Sequence, residues 1–492
     1  MARKVLIVED IMNQAKKPSL VKNSIVNVIR YVMKIVLPMI TFPYVTRTLL
    51  PENYGKVNFC TSIFSYFLLL AGLGITEYAV REGAAFRNKK NEMGKFTSQV
   101  FTIGCISTVI SYALLILFLV LGSFNKDYKI ILAIQSISLI TMALSVEWIY
   151  TVYEDFTFIT IRSFIFQVIN IVCIYTLVKS ENDYFIYAAI ISISTGLEFL
   201  VNFINARKYV RFGITTKPDF KLHLRPILVL FCNAALISVY LYSDKIIMGI
   251  LMGDEAVGIY EVSVKIYMMV KGALNAVALT MMPRLAAYLR ENKLDEYKSL
   301  ANKSLNVQLI IMSPAIVGLF MVSSNAVSIF AGEEYMKATG SLQILSIALA
   351  FAVLANMYAY VLMITQRMDK KILFATIFSS LLNVILNFIF IPLFGIYAAA
   401  GSTLISEFAV AAYGIYSCRK IVPLRFNAKS ILIALAGSTS IVIICIAVSY
   451  LKLPLMFDTI LKVVLSAGIY LILILLFNKE LISSALARLK KK

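Results

Sequence analysis

The sequence predicts an all-α integral membrane protein of about fourteen transmembrane helices, built as two six-helix repeats followed by two further helices. Three observations predict it. Of 492 residues, 60% are hydrophobic and only 15% charged, with a mean hydropathy of +0.82. The apolar residues fall into runs near the ~20 residues that a bilayer crossing takes. Short motifs then recur in the same order at nearly constant offset, the mark of a duplicated chain. LLPENYGKVNF (Leu49–Phe59) echoes ILMGDEAVGIYEV, pairing Gly55 with Gly258 at 203 residues. The IYAA motifs at Ile186 and Ile396 lie 210 apart, and Glu198 and Glu407 lie 209 apart.

Residues 1–22 are polar and basic and read as a cytoplasmic N-terminal segment, without a signal-peptide pattern. The first lobe, 23–206, holds apolar spans near 24–50, 57–80, 97–122, 129–150, 157–178 and 184–206. A basic cytoplasmic linker, 207–225, follows. The second lobe, 226–420, holds spans near 226–252, 256–284, 304–330, 338–365, 372–393 and 396–418; residues 421–492 carry spans 430–451 and 457–477 and a basic tail. Six spans per lobe make the repeats parallel, related by an axis along the membrane normal.

Charge fixes the expected orientation. With loops alternating from a cytoplasmic N-terminus, cytoplasmic segments hold 33 of the 47 Lys and Arg and outer loops hold 7, counting Lys462 just inside the last span. This bias places both termini inside. It also accounts for the net charge of +20 as orienting charge lying against anionic lipid, without nucleic acid as a partner. The outer connections are short and leave no room for an enzyme domain. The six cysteines lie in or near apolar runs, arguing against a disulfide framework or zinc site. The single histidine, His223, falls in a basic loop, so histidine catalysis, haem and metal are not expected.

The candidate functional residues are polar side chains inside apolar spans. A charge near the bilayer centre costs at least ~2.5 kcal/mol, so such residues face a protein interior or a water-filled path. In the first span Asn23, Asn27, Arg30, Lys34, Thr41 and Thr48 share one helix face. Lys34 lies about 15 Å deep at 1.5 Å per residue, and Pro38 and Pro43 are expected to bend the helix. The alternative for Arg30 and Lys34 is snorkelling to the cytoplasmic surface. Asn233, Tyr240 and Asp244 form a stripe on the seventh span; Lys265, Met268, Gly272 and Asn275 form one on the eighth. Asp244 comes to the level of Lys265, and the rival to a functional role is a structural ion pair between them. Lys34 and Lys271 have no evident acidic partner in sequence. Glu198 and Glu407, equivalent under the repeat, are expected to neutralise the lysines or to bind a coupling cation. Arg47, Glu77 and Glu147 lie near span ends and Arg162 a short way into its span, positions that suit solvated interfacial side chains. Tyr31, Tyr240 and Tyr267 beside the stripes offer flat faces and hydroxyls to a sugar ring, against the alternative of interfacial anchors.

The first span, PYVTRTLLPENYGKVNF, EWIYTVYEDFTFIT and YLYSDKIIMGILMGDEAVGIYEVSVKI resemble the Wzx-type polysaccharide flippases, within the superfamily of multidrug, oligosaccharidyl-lipid and polysaccharide exporters. The resemblance covers nearly the whole chain. It implies a V-shaped pair of six-helix bundles around a central cavity, two extra C-terminal helices and alternating access. It also implies an undecaprenyl-diphosphate-linked oligosaccharide (an O-antigen, capsule or teichoic acid unit) moved from the inner to the outer leaflet of a bacterial cell membrane, in company with polysaccharide polymerase machinery. On that reading Arg30, Lys34, Lys265 and Lys271 bind the diphosphate or an acidic sugar by charge-assisted hydrogen bonds. Asn27, Asp244, Glu198, Glu407 and Asn275 are cavity polar or coupling residues. No cofactor is implied, and coupling is to H+, Na+ or the membrane potential. Two alternatives stand beside it: a cation-coupled multidrug exporter of the same fold, and an integral membrane glycan polymerase or glycosyltransferase.

Overall fold

A computed structural model describes residues 20–477, with the side chains of Met33 and of residues from Leu37 onward. The first helix, α1 (Leu20–Gly72), is two helices joined end to end. Its break is Leu50, at φ 61° and ψ 169°. Proline crowds the residue before it out of the α region, and its fixed φ suits the first turn of a new helix; Pro51 does both here. The second span therefore begins at once, not near residue 57. Pro38 and Pro43 lie within the helix and bring no further non-helical residue.

Then come α2 (Ile75–Gly83), α3 (Lys90–Leu121), α4 (Lys126–Ile140), α5 (Glu147–Tyr153), α6 (Phe156–Leu177) and α7 (Tyr184–Ala206). The chain continues through α8 (Phe220–Met252), α9 (Asp254–Leu279), α10 (Met282–Arg290), α11 (Leu294–Met321), α12 (Ser323–Phe330) and α13 (Ala338–Ala355). It closes with α14 (Asp369–Phe394), α15 (Ile396–Cys418), α16 (Ala428–Ser449) and α17 (Leu455–Phe477). Among the described residues thirteen helical segments are long and apolar enough to cross a membrane. Counting the first as two passes about Leu50 gives fourteen.

The chain forms two compact units: residues up to Val45 with Ile63–Ala235, and Thr46–Ser62 with the residues from Leu236 onward. In the first, Met93, Phe96, Trp148, Tyr150, Val210 and Ile227 share one buried core. Residues 207–217, read from sequence as linker, are thus held in that unit by Val210. In the second, Leu285, Tyr297, Tyr358, Leu362, Cys418 and Val422 form the corresponding core. The pairs Met93/Tyr297, Tyr150/Tyr358 and Val210/Val422 lie at nearly the offset of the sequence motifs, so the duplication is carried by the packing as well.

Each unit also interrupts its fourth span. In the first, α4 and α5 are separated by a 3-10 turn at Met142–Leu144; in the second, α13 runs into a π-helix, Asn356–Leu362. The last two helices attach to the second unit. α16 packs on α11 and α17, with Ile310, Ile433, Ile441, Cys445 and Tyr470 in a small core. Tyr470 donates to the Ile310 carbonyl at 2.7 Å. Lys462, counted with the outer loops from sequence, is buried. It pairs with Asp458 one turn earlier at 2.7 Å, and Asn325 donates to the same carboxylate at 2.6 Å. Many large apolar side chains on the spans remain exposed, Val109, Val120, Leu432 and Leu471 among them, as a lipid-facing surface requires.

Candidate functional site

The hairpin of α8 and α9 turns at Gly253, whose φ of 86° suits a residue without a side chain. Gly258, in the second turn of α9, lies against Gly55 in the second half of α1. A Cβ on Gly55 would sit 1.8 Å from the Asp254 carbonyl oxygen, and one on Gly258 would sit 2.0 Å from that of Pro51. The two motifs aligned as repeat equivalents in the sequence are thus packed backbone to backbone.

The hairpin sets which charges meet. In an antiparallel pair turning at 253, residue 245 comes level with 261, whereas the level partner of 265 is 241. Lys245 accordingly pairs with Glu261 at 2.8 Å, both buried. Asp244 accepts the Lys245 backbone N–H at 2.8 Å and lies beside Tyr260 of α9. The Asp244–Lys265 ion pair is therefore corrected to Lys245–Glu261. Lys265 instead donates to the Tyr54 hydroxyl at 2.6 Å, its ammonium 5.1 Å from that ring's centre.

Further along α9, Lys271 does have an acidic partner: it pairs with Glu407 of α15. Glu407 is 5% exposed and accepts from the hydroxyls of Tyr240 at 3.0 Å and Tyr267 at 3.3 Å. One carboxylate thus gathers an ammonium and two phenols from two other helices. Tyr267 is 1% exposed, so its ring is engaged inside the bundle. Beside this cluster lies a cavity of about 90 Å³, room for roughly three waters at ~30 Å³ each. Its wall includes Asn275, Asn356, Tyr360, Thr376 and Ser380. The Oδ1 atoms of Asn275 and Asn356 are buried there without a hydrogen-bond donor, and Asn356 opens the π-helix, an irregularity frequent at functional sites. The sequence reading did not single out Asn356, Tyr360 or Thr376; for Asn356 the available signal was a polar residue within the apolar span 338–365.

In the first unit Glu198 lies 3.8 Å from Arg162, which also reaches Glu147 at 3.3 Å and bonds to Asn202. Arg162 is 5% exposed. The interfacial reading is corrected for Arg162, whose guanidinium α5, α6 and α7 bury, while its partner Glu147 remains partly exposed near the end of its span. The repeat-equivalent Glu198 and Glu407 therefore take different cations. Arg47 donates to the carbonyls of Ser328 at 3.0 Å and Ile329 at 2.9 Å, where the C-terminal carbonyls of α12 favour a cation. His223 is not in a loop but in the first turn of α8, buried between the Tyr78 hydroxyl at 2.7 Å and Gln99 Oε1 at 2.9 Å. The side chains of Asn27, Arg30, Tyr31 and Lys34 lie outside the described residues.

Residues 20–289 match the family model described as polysaccharide biosynthesis protein, and 230–389 match the MatE model. A putative O-antigen transporter of Escherichia coli K12 is 26% identical over 386 residues, covering 76% of this chain and 91% of its own length. Among solved structures, the lipid II flippase MurJ in an inward closed conformation aligns with a TM-score of 0.74 at 17% identity, covering 94% of this chain and all of that one. An inward-facing multidrug resistance transporter of the MATE family aligns at 0.60 and 15%, covering 80% and 97%. Together with the membrane-spanning all-helical fold, these place the chain in the polysaccharide biosynthesis protein family, as a Wzx-type flippase and a transporter rather than an enzyme.

Proposed function

We propose that this protein carries an undecaprenyl-diphosphate-linked oligosaccharide from the inner to the outer leaflet of a bacterial cell membrane by alternating access. The observation that carries this reading is the placement of lysines in the second unit. Lys245, Lys265 and Lys271 all lie on the α8–α9 hairpin within apolar spans. A diphosphate brings concentrated negative charge into the bilayer, and preplaced ammonium groups offset its desolvation by charge-assisted hydrogen bonds. Lys265 and Lys271, with Arg30 and Lys34, are assigned to the diphosphate or to an acidic sugar.

The ion pair of Lys271 gives this assignment a mechanism. With Glu407 ionised, its ammonium is neutralised internally. Binding of H+ or Na+ at Glu407 releases Lys271 for an anionic substrate, and substrate departure returns it to Glu407. The adjoining small cavity, with the unpaired oxygens of Asn275 and Asn356, offers acceptors for such a cation. A glycan unit with its lipid tail in the membrane then moves as the cations change partners. Surface polysaccharide of the O-antigen, capsule or teichoic acid kind is the destination, where polymerase machinery takes over.

The leaflet location of undecaprenyl-linked oligosaccharide in cells depleted of this protein tests the reading. Completed units should accumulate on the cytoplasmic face, with surface glycan lost. Replacing both Lys34 and Lys265 by Ala should give the same phenotype with folded protein in the membrane; normal surface glycan in that variant overturns the assignment. The match to the MatE model over 230–389 and the acid at Glu407 favour multidrug export as the second reading. It predicts heightened drug sensitivity on deletion and an unchanged distribution of lipid-linked sugar.

A further inference from the structure

A second concavity lies in the first unit, and none of the lysines assigned to translocation is among its lining residues. Its volume is about 1240 Å³, and six of its lining residues are cations: Lys90, Lys95, Arg207, Lys208, Arg211 and Lys217. No Asp or Glu lines it. Charge asymmetry assigns this end of the unit to the cytoplasmic side, where a bland reading makes such residues orienting charges. Two features go beyond that.

The first is pairing. Nearby cations on the same unit have found carboxylates: Arg81 with Glu82 at 2.9 Å, Arg87 with Glu154 at 2.7 Å, Lys89 with Glu92 at 3.2 Å. Among the described residues none of the six lining cations is in an ion pair. Six like charges lining one hollow repel one another, and a concave wall focuses their field.

The second is construction. The segment after α7 is bonded down onto α3. The Gly213 N–H donates to Ser98 Oγ at 3.3 Å and the Thr215 N–H to Thr102 Oγ1 at 2.9 Å. Gly94 lets the chain come close, since a Cβ there would stand 3.1 Å from the Arg211 carbonyl. The Arg207 guanidinium lies 4.7 Å from the centre of the Phe203 ring. The basic segment therefore has a fixed path that holds its cations around the hollow.

We propose that this hollow is a binding site for a phosphate-bearing anion, distinct from the translocation site. Arginine forks and lysine ammoniums lining one hollow, with no carboxylate among the lining residues, match phosphate oxygens. The phosphate belongs either to an anionic lipid headgroup of the adjoining leaflet or to a soluble phosphate compound. Binding is measured directly, so failure of the flippase reading leaves the test intact.

The full-length protein is titrated in detergent with phosphatidylglycerol and with phosphatidylcholine, and bound lipid is counted by native mass spectrometry. Three proteins are compared: wild type, the pocket variant Lys95→Gln/Arg211→Gln/Lys217→Gln, and a control variant Arg290→Gln/Lys370→Gln/Lys420→Gln that removes equal charge from exposed positions elsewhere. The expected result is a preference for phosphatidylglycerol of tenfold or more, lost in the pocket variant and kept within twofold in the control. Inorganic pyrophosphate is then added as competitor. Displacement of the lipid assigns the site to the phosphate group and admits soluble ligands; retention of the lipid assigns it to the headgroup. Equal loss of binding in both variants, or no loss in the pocket variant, overturns the proposal.

Discussion

Glu407 draws three donors from helices that are far away in sequence, and this sets what its replacement should do. A buried ion pair contributes little over a well-packed apolar substitute, but removing one partner strands the other and costs about 3–5 kcal/mol. Glu407→Gln keeps an acceptor for Tyr240 and Tyr267 yet leaves Lys271 without a counter-charge. Lys271→Met strands the carboxylate. Each single variant should melt at clearly lower temperature than the wild type in detergent, and the double variant should recover most of that loss. A double variant as unstable as the sum of the singles would mean that the charges are not coupled. Transport should stay lost in the double variant, since its recovered stability comes without the exchange of partners. The individual charges were legible in the sequence, because an ionisable residue inside an apolar run is conspicuous. Their partners were not. The stripe on the seventh span drew attention to Asp244 beside Tyr240, while the register of the hairpin made Lys245 the residue that meets Glu261. Lys271 had no acid near it in sequence because its acid arrives on α15, 136 residues later.

At the scale of elements, glycine spacing carried more information than the sequence reading extracted from it. Gly55 and Gly258 were recognised as equivalents, and that same small residue lets the second half of α1 and the start of α9 touch. Both close contacts are to backbone carbonyls, which cannot swing aside as a side chain can. Gly258→Ala should therefore force the helices apart, lowering the melting temperature and surface glycan together. Gly401→Ala makes the control: a Cβ there meets nothing within 4 Å, and alanine is favoured over glycine in a helix interior by ~1 kcal/mol. That variant should be as stable as the wild type or more so. Equal behaviour of the two alanine variants would remove the close approach as the cause. The helix break at Leu50 was half legible. Leu-Pro marked the end of a span, but the polar residues Glu52, Asn53 and Lys56 read as a turn, whereas helix resumes at Pro51 and carries them on its first turns. The irregular fourth spans were not legible at all, since a π-helix and a 3-10 turn keep the apolar content that identifies a span.

For the whole molecule, the hydropathy pattern determined nearly everything about the number and order of helices, because lipid permits so few alternatives. Orientation is the property that rests on charge alone, and it can be checked directly. Positive residues are retained on the cytoplasmic side, so the turns at Asn88 and Lys293 should lie inside, and those at Glu181 and Lys452 outside. The six native cysteines are first replaced by serine or alanine, and single cysteines are placed at those four exposed positions. A membrane-impermeant maleimide added to intact cells should label the residues at 181 and 452 and spare those at 88 and 293, with all four labelled after lysis. The inverted pattern would put the basic hollow of the first unit outside, away from cytoplasmic lipid and phosphate compounds. It would also reverse the direction in which the lysine-bearing hairpin receives its substrate, so both proposals depend on this one sign. A mixed pattern, with 88 and 181 on the same side, would instead overturn the helix count between them.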